Sequence, residues 1–394
     1  VTEVVPAVDR DEPEPTEESS ALPALGPAGW RKEAEVIAVP FVLAHVLSIG
    51  GWVLATVIKR RLRGSSYVPD SYAGVFGWGS WDARYYHLIA ARGYTFERTG
   101  LRFFPLYPLI AKVIRVPLFG QTDLALLITA KVSLVIAAVL LYRLVRLETR
   151  DDHVARMAVW FLFLFPGAFV LTWEYSEPTF LALAIGSIYA MRTKRFGWAA
   201  LLGVGAGLCR PLGIALVPAA LIEGWRDFPV LGLGERVKRI LAVVSSGIGM
   251  LLFLAWTGVT RHDFWAPLTA QNKLRTNESP VQRLVHLAHQ MVGSDALKSG
   301  LHVPFIIVFT VLIVIVARRL PLSYAAYAAV VAVLTLSADN LNSLERYGLN
   351  AFPLVIGLAM FSRRDERIEW VAIALGAVTC TALSALALSA SYVP

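Results

Sequence analysis

Apolar blocks near the length needed to cross a bilayer recur from one end of this chain to the other. They fall at 36–58, 124–142, 157–173, 178–191, 196–209, 211–222, 240–260, 303–317, 321–338, 347–361 and 370–389. A helix rising 1.5 Å per residue needs about 20 residues to cover ~30 Å of hydrocarbon. Composition agrees, since AVILMFWYC make up 56% of the 394 residues and DEKR only 17%, against roughly a quarter charged in soluble domains. A soluble enzyme is excluded. The expected fold is all-α and polytopic, with about 10–12 membrane helices, because lone strands and loops cannot satisfy their backbone in lipid.

The pair 196–209 and 211–222 is too short for two full spans and meets at Arg210-Pro211. A helical hairpin that stops at membrane depth explains both facts, since non-helical backbone is tolerated where it lines a wet cavity. Residues 1–30 are acidic and rich in Pro, Glu and Ser, which predicts a disordered tail rather than a cleavable signal peptide. Residues 31–394 form the integral membrane domain. Cys209 and Cys380 stand alone in apolar runs, so neither a disulfide framework nor a metal site is indicated.

The net charge of +8 has a topological origin for the most part. Arg143, Arg146, Arg150 and Arg156 share one connection; Arg192, Lys194 and Arg195, then Arg226, Arg236, Lys238 and Arg239, then Arg318 and Arg319, then Arg363, Arg364 and Arg367 fill alternate later ones. Lys and Arg mark cytoplasmic connections. The register therefore expects a cytoplasmic N-terminus and two large outer loops, residues 59–122 and 261–302. Lys59, Arg60, Arg61 and Arg63 run against that trend. The stretch 103–119 carries Pro105, Pro108, Pro117, Lys112 and Arg115 and reads as interfacial, not spanning. Basic residues spread in this way form no stripe for nucleic acid, so no nucleic-acid partner is expected.

The first outer loop holds Ser80-Trp81-Asp82-Ala83-Arg84-Tyr85-Tyr86-His87 and continues to Arg92-Gly93-Tyr94. Asp82 is placed to cap a short helix that Gly93 stops, with Tyr85 and Ile89 on one face. A carboxylate there can also act as a general base toward an acceptor hydroxyl, while arginines stabilise charge on a leaving phosphate. Glu174 and Glu177 are further carboxylates. Glu177 heads a helix, where the dipole alone favours it. Arg210 either snorkels to headgroups or lines the hairpin apex, and Arg346 either pairs with Glu345 or Asp339 or serves the site. Lys131 lies mid-span and calls for a partner or a cavity, and His45 reads as a packed interior histidine. Arg261, Lys273, Arg275, Arg283 and Lys298 of the second outer loop are a solvated surface or a cradle for anionic headgroups.

At these residues a family resemblance enters. Trp81-Asp82, Tyr85 to Tyr94, and Phe103-Phe104-Pro105-Leu106-Tyr107-Pro108-Leu109 resemble the bacterial relatives of PIG-V, the second mannosyltransferase of GPI-anchor synthesis. Tyr175-Ser176-Glu177, Cys209-Arg210-Pro211-Leu212-Gly213, Gly258 to Ala270, Glu345-Arg346-Tyr347 and Phe352-Pro353 follow in the family's order. Pro178 and Cys209 depart from its pattern. The resemblance implies an inverting glycosyltransferase of GT-C type that takes mannose from polyprenyl-phosphate mannose to a lipid, glycolipid or protein acceptor. It implies no metal and no cofactor, the lipid-linked donor being a substrate. In that family the Trp-Asp pair is functionally required, which carries over to Trp81 and Asp82, and its Arg-Pro and Arg-Tyr positions map onto Arg210 and Arg346. The expectation for the site is Asp82 as catalytic base, Trp81 and Tyr85 shaping the sugar pocket, Arg210 and Arg346 binding the leaving phosphate, and Glu177 in substrate binding. The expected setting is the bacterial plasma membrane with the site at its outer face. Two readings from other classes stand beside it: a transporter or flippase for a lipid-linked anion, which the lack of an internal repeat disfavours, and a non-catalytic scaffold, in which Asp82 and the arginines would share no cavity.

Overall fold

The computed structural model describes residues 27–63, 74–95, 98–272, 302–337 and 343–389, together with Gln282 and Val285. The acidic tail to residue 26, Asp339, and Lys273, Arg275, Arg283 and Lys298 of the second outer loop lie outside the described residues. Helix α1 (Pro27–Arg63) precedes two short helices of the first long loop, α2 (Asp82–Arg92) and α3 (Leu106–Ile114). The bundle continues through α4 (Thr122–Thr149), α5 (Asp152–Leu164), α6 (Glu177–Arg192), α7 (Phe196–Cys209), α8 (Leu216–Trp225) and α9 (Leu233–Arg261). After α10 (Ala266–Asn272) come α11 (Val303–Arg319), α12 (Leu322–Leu336), α13 (Leu344–Asn350), α14 (Pro353–Ser362) and α15 (Glu366–Leu388). No strand occurs among the described residues.

Four helices are long and apolar enough to cross a membrane: Trp30–Arg61, Thr122–Thr149, Leu233–Arg261 and Glu366–Leu388. The protein is an integral membrane protein. Three boundaries differ from expectation. The first helix begins at Pro27, inside the stretch assigned to the tail. The block at 157–173 ends its α-helix at Leu164 and continues as a 3-10 turn over Ala168–Thr172. The block at 347–361 is two helices, because Pro353 cannot donate to a continuing ladder and instead opens α14. The segment after Pro105 forms only the nine residues of α3, roughly 14 Å of helix, so it cannot span.

Arg210 shows how sequence sets a helix end. A residue before proline is driven out of the helical region, and Arg210 is extended at φ −154°, ψ 150°, ending α7. The chain then turns through Pro211–Ala215 into α8. The two feet of this hairpin meet at one side chain of α9. The Arg239 guanidinium lies 4.7 Å from the centre of the Phe196 ring at the start of α7, and it donates to the carbonyl oxygens of Gly224 (3.2 Å) and Arg226 at the end of α8. Against α9 the approach of α7 is very close. A Cβ on Gly207 would fall 2.0 Å from the Ser246 carbonyl oxygen, so the small residues Gly203 and Gly207 permit backbone contact as in small-xxx-small membrane packing.

The alternate basic connections gather at one end of the bundle. Glu33 near the start of α1 receives both Nε (2.6 Å) and Nη2 (2.9 Å) of Arg143. Arg192 at the end of α6 joins Glu148 of α4 (2.6 Å) to Glu223 of α8 (2.9 Å), and Ser323 and Tyr324 of α12 donate to the same two carboxylates. Arg363 contacts Asp151 (3.3 Å). The start of α1 thus shares an end with the basic connections, as the register expects, and Lys59, Arg60 and Arg61 lie at the other.

Candidate active site

The opposite end of the bundle holds a buried chain of charges. Glu177 at the start of α6 is fully buried, with Arg210 Nη1 2.6 Å and Arg346 Nε 3.3 Å from its Oε1. Arg346 Nη1 in turn donates to Asp82 Oδ2 at 2.7 Å. Arg102 Nη2 stands 3.8 Å from Asp82 Oδ1. The order Arg210, Glu177, Arg346, Asp82, Arg102 therefore alternates in sign. The contacts to Glu177 are ion-pair distances with poor hydrogen-bond angles, and both of its oxygens lack a well-aligned donor. Unsatisfied buried carboxylate oxygens are costly, and they concentrate at functional sites.

Around this chain stand hydroxyls and rings. Ser176 Oγ accepts from Arg210 Nη1 (3.0 Å) and lies 2.7 Å from the Tyr86 hydroxyl. Burial pushes the Tyr86 phenol well above its ordinary pKa, with Glu177 and Asp82 adding to the rise and Arg210 opposing it. The Arg346 guanidinium sits 5.5 Å from the Tyr175 ring centre and 5.1 Å from that of Tyr347, with Arg210 5.8 Å from the latter. Such faces favour cations in a dry setting. Gly167, at φ +82°, lets the chain pass the α13 backbone: a Cβ there would fall 2.8 Å from the Arg346 amide nitrogen. Only glycine suits both the dihedral and the space.

Several expectations change here. Asp82 is not the cap of α2; Trp81 holds the N-cap position without a side-chain bond, and the Asp82 carboxylate turns to Arg346. The buried face of α2 is Ala83, Tyr86, Ile89 and Ala90, while Tyr85 remains half-buried and stacks on Phe103 at 4.5 Å. Arg346 turns to Asp82 and Glu177, while Glu345 faces His302 at 2.7 Å; Asp339 lies outside the described residues. Arg210 is buried rather than snorkelling, because its carboxylate partner lies inside the bundle. Glu177 does more than complement a helix dipole. Trp81 adopts φ +58°, ψ −119°, and its indole donates to the Ala387 carbonyl of α15 (3.0 Å), so it anchors the start of α2. A scaffold would have left Asp82, Arg210 and Arg346 apart; they are brought together.

Lys131 finds its partner in the carbonyl of Thr172, below the face of Trp78. His45 packs as expected, bonded to the Phe41 carbonyl at 2.7 Å. Near Lys131 the coil residue Glu174 is buried with Oε1 unpartnered; burial, with Asp123 adding and Lys131 opposing, pushes its pKa up to about 8. Ser48 of α1 ties this region together. Trp78 Nε1 (3.1 Å) and Trp173 Nε1 (3.3 Å) both reach its hydroxyl, and Thr172 Oγ1 lies 2.8 Å away. The Thr172 proton goes to the Phe169 carbonyl at 2.7 Å, so Ser48 accepts both indoles and donates to Thr172, which uses its full capacity. Tyr86, Ser176 and Tyr347 stood in the quoted motifs without a role of their own, and Gly167, Ser48 and Arg102 were not singled out from sequence. Tyr86 carried a further signal, four residues after Asp82 on the same helix, and Ser176 and Tyr347 adjoin Glu177 and Arg346 in their motifs.

Residues 57–223 match the family Mannosyltransferase (PIG-V). That stretch carries Asp82, Glu177 and Arg210. The likeness to the PIG-V mannosyltransferases read from the motifs holds over it, and Arg346 joins the site from beyond it. Among solved structures, ArnT from Cupriavidus metallidurans bound to undecaprenyl phosphate is similar at a TM-score of 0.54 and 16% identity, over 89% of this chain and 64% of that one. An Archaeoglobus fulgidus oligosaccharyltransferase complex with Zn and sulfate gives 0.44 and 14%, over 87% and 53%. The archaeal oligosaccharyltransferase AglB from the same organism, with an inhibitory peptide and a dolichol-phosphate, gives 0.44 and 12%, over 88% and 56%. The chain thus spans between 53% and 64% of these proteins' lengths. The comparison with curated proteins returned no match. The fold is similar to that of the ArnT structure.

Proposed function

We propose that this chain is a membrane glycosyltransferase that moves mannose from a polyprenyl-phosphate carrier to a hydroxyl of a lipid, glycolipid or protein acceptor at the outer face of a bacterial plasma membrane. The observation that carries this reading is the contact of Asp82 with Arg346, itself held by Glu177, at the end of the bundle away from the basic connections. The acceptor oxygen bonds to the anomeric carbon while the bond from that carbon to the phosphate oxygen breaks. The electron pair stays on the phosphate, and attack from the opposite face inverts the centre. The hydroxyl proton passes to Asp82, whose Oδ1 lacks the close contact that Oδ2 makes with Arg346. Positive groups fixed in a dry site stabilise the charge growing on the phosphate better than the same groups in water.

A lipid carrier is supported by two further observations. The ArnT structure of like fold was solved with undecaprenyl phosphate. A small apolar cleft between α11 and α12, lined by Phe309, Ile313, Val331 and Leu336, reaches Gly348 just past Arg346, so apolar surface adjoins the charged site on the side a lipid carrier would use. Asp82 and Glu177 both face guanidinium groups, which argues for transfer without a metal; a chelator should leave the rate unchanged. The central test is Asp82→Asn in membranes supplied with labelled polyprenyl-phosphate mannose. Loss of label transfer at wild-type expression is expected, and full transfer by that variant overturns the reading.

A further inference from the structure

Three guanidinium groups against two carboxylates leave the charge chain with one surplus positive charge, and the geometry assigns it to Arg102. Arg210 is engaged by Glu177 and Ser176. Arg346, at 4% side-chain exposure, places Nη1 on Asp82, Nε toward Glu177 and Nη2 3.4 Å from the Tyr347 hydroxyl. For either to take a phosphate, a buried carboxylate would have to lose its partner, which is a severe cost. Arg102 differs in each respect. Its side chain is 25% exposed and, at 3.8 Å, stands beyond hydrogen-bond distance of Asp82. Its guanidinium donates no hydrogen bond among the described residues.

The arginine is nevertheless held in place. Its carbonyl accepts from Gln271 of α10 at 2.9 Å, and the guanidinium rests 4.9 Å from the Phe103 ring centre and 5.8 Å from that of Tyr85. A planar, preorganised fork with free donors is the group suited to phosphate oxygens.

We propose that Arg102 is the residue that binds the phosphate of the polyprenyl carrier, and that Arg210 and Arg346 chiefly hold the two carboxylates in place. This rests on the lipid-carrier reading above. The carrier's phosphodiester brings one negative charge, which matches the surplus. On transfer the phosphate gains a second, next to Arg102.

The test uses the full-length protein in phosphatidylcholine nanodiscs, with undecaprenyl phosphate as the titrated probe and phosphatidylglycerol and undecaprenol as comparisons. Wild type should bind undecaprenyl phosphate in preference to both. Arg102→Gln should weaken that binding about 10- to 100-fold, the range for a lost hydrogen bond to a charged group, and should raise KM for the donor more than it lowers kcat. Arg102→Lys should recover part of the affinity, which a merely structural role would not predict. Unchanged binding in Arg102→Gln, or equal displacement by phosphatidylglycerol, overturns the assignment to Arg102 while leaving the transferase reading in place. Failure of the wild type to bind undecaprenyl phosphate overturns both.

Discussion

Arg346 and Asp82 meet at 2.7 Å across a sequence separation of 264 residues, and Arg346 also approaches Glu177 at 3.3 Å. One guanidinium thus bridges the loop helix α2 and helix α6 of the bundle. A lysine could not, since its single ammonium head is a point charge without a fork. Arg346→Lys is expected to lower kcat by about 100-fold, within the range for losing one preorganised electrostatic contact. A transfer assay with the purified variant checks this, alongside a thermal melt to show that it is folded.

Glu177 makes the opposite case, a carboxylate whose removal strands two cations. Glu177→Gln should destabilise the protein by about 3–5 kcal/mol, the cost of breaking a buried ion pair by removing one partner. Adding Arg210→Gln should return part of that loss. A double-mutant cycle on melting temperature or denaturant midpoint measures the coupling, and strict additivity would count against the pairing.

The close approach of α7 and α9 gives a test inside a single helix. Gly207→Ala would place a methyl 2.0 Å from the Ser246 carbonyl oxygen, whereas at Gly197 nothing lies within 4 Å of an added Cβ. The first should cost about 1–3 kcal/mol through overpacking, and the second should be neutral or stabilising. Melting curves of the two variants side by side decide it.

Glu174 ties stability to pH. Its carboxyl, raised from 4.5 to about 8 by burial with Asp123 nearby and Lys131 opposing, binds its proton more tightly in the folded chain than in the unfolded one. Tyr107, buried close by, feels the same carboxylate. Stability from this group is complete below the unfolded value and is lost as pH rises through about 8. Melting temperature should fall between pH 5 and 9 in the wild type. In Glu174→Gln that part of the slope should vanish; an unchanged slope would show that Glu174 is not its source.

The hairpin was legible in sequence because its cause is local: a residue before proline leaves the helical region, and Arg210 does. The alternation of basic connections was legible for a similar reason, since each can be read without knowing its neighbours in space. Asp82 was harder. A residue at the start of a helix satisfies the capping preference whether or not its carboxylate has a distant partner, and only the position of Arg346 shows that it has one. Glu177 was obscured in the same way by the helix dipole, which favours a carboxylate there whether or not two arginines lie beyond it. Gly167 and Ser48 gave no signal at all, because what they touch comes from distant parts of the chain.

Ser48 has a consequence for how the site keeps its shape. Trp78 precedes Asp82 by four residues, and Thr172 and Trp173 precede Glu177 by five and four. All three reach the same hydroxyl on α1. The carboxylate of α2 and that of α6 are therefore surveyed from one benchmark. A shift of α1 would carry both together and preserve the interval that Arg346 spans, whereas loss of the Ser48 hydroxyl would leave each free to drift by itself.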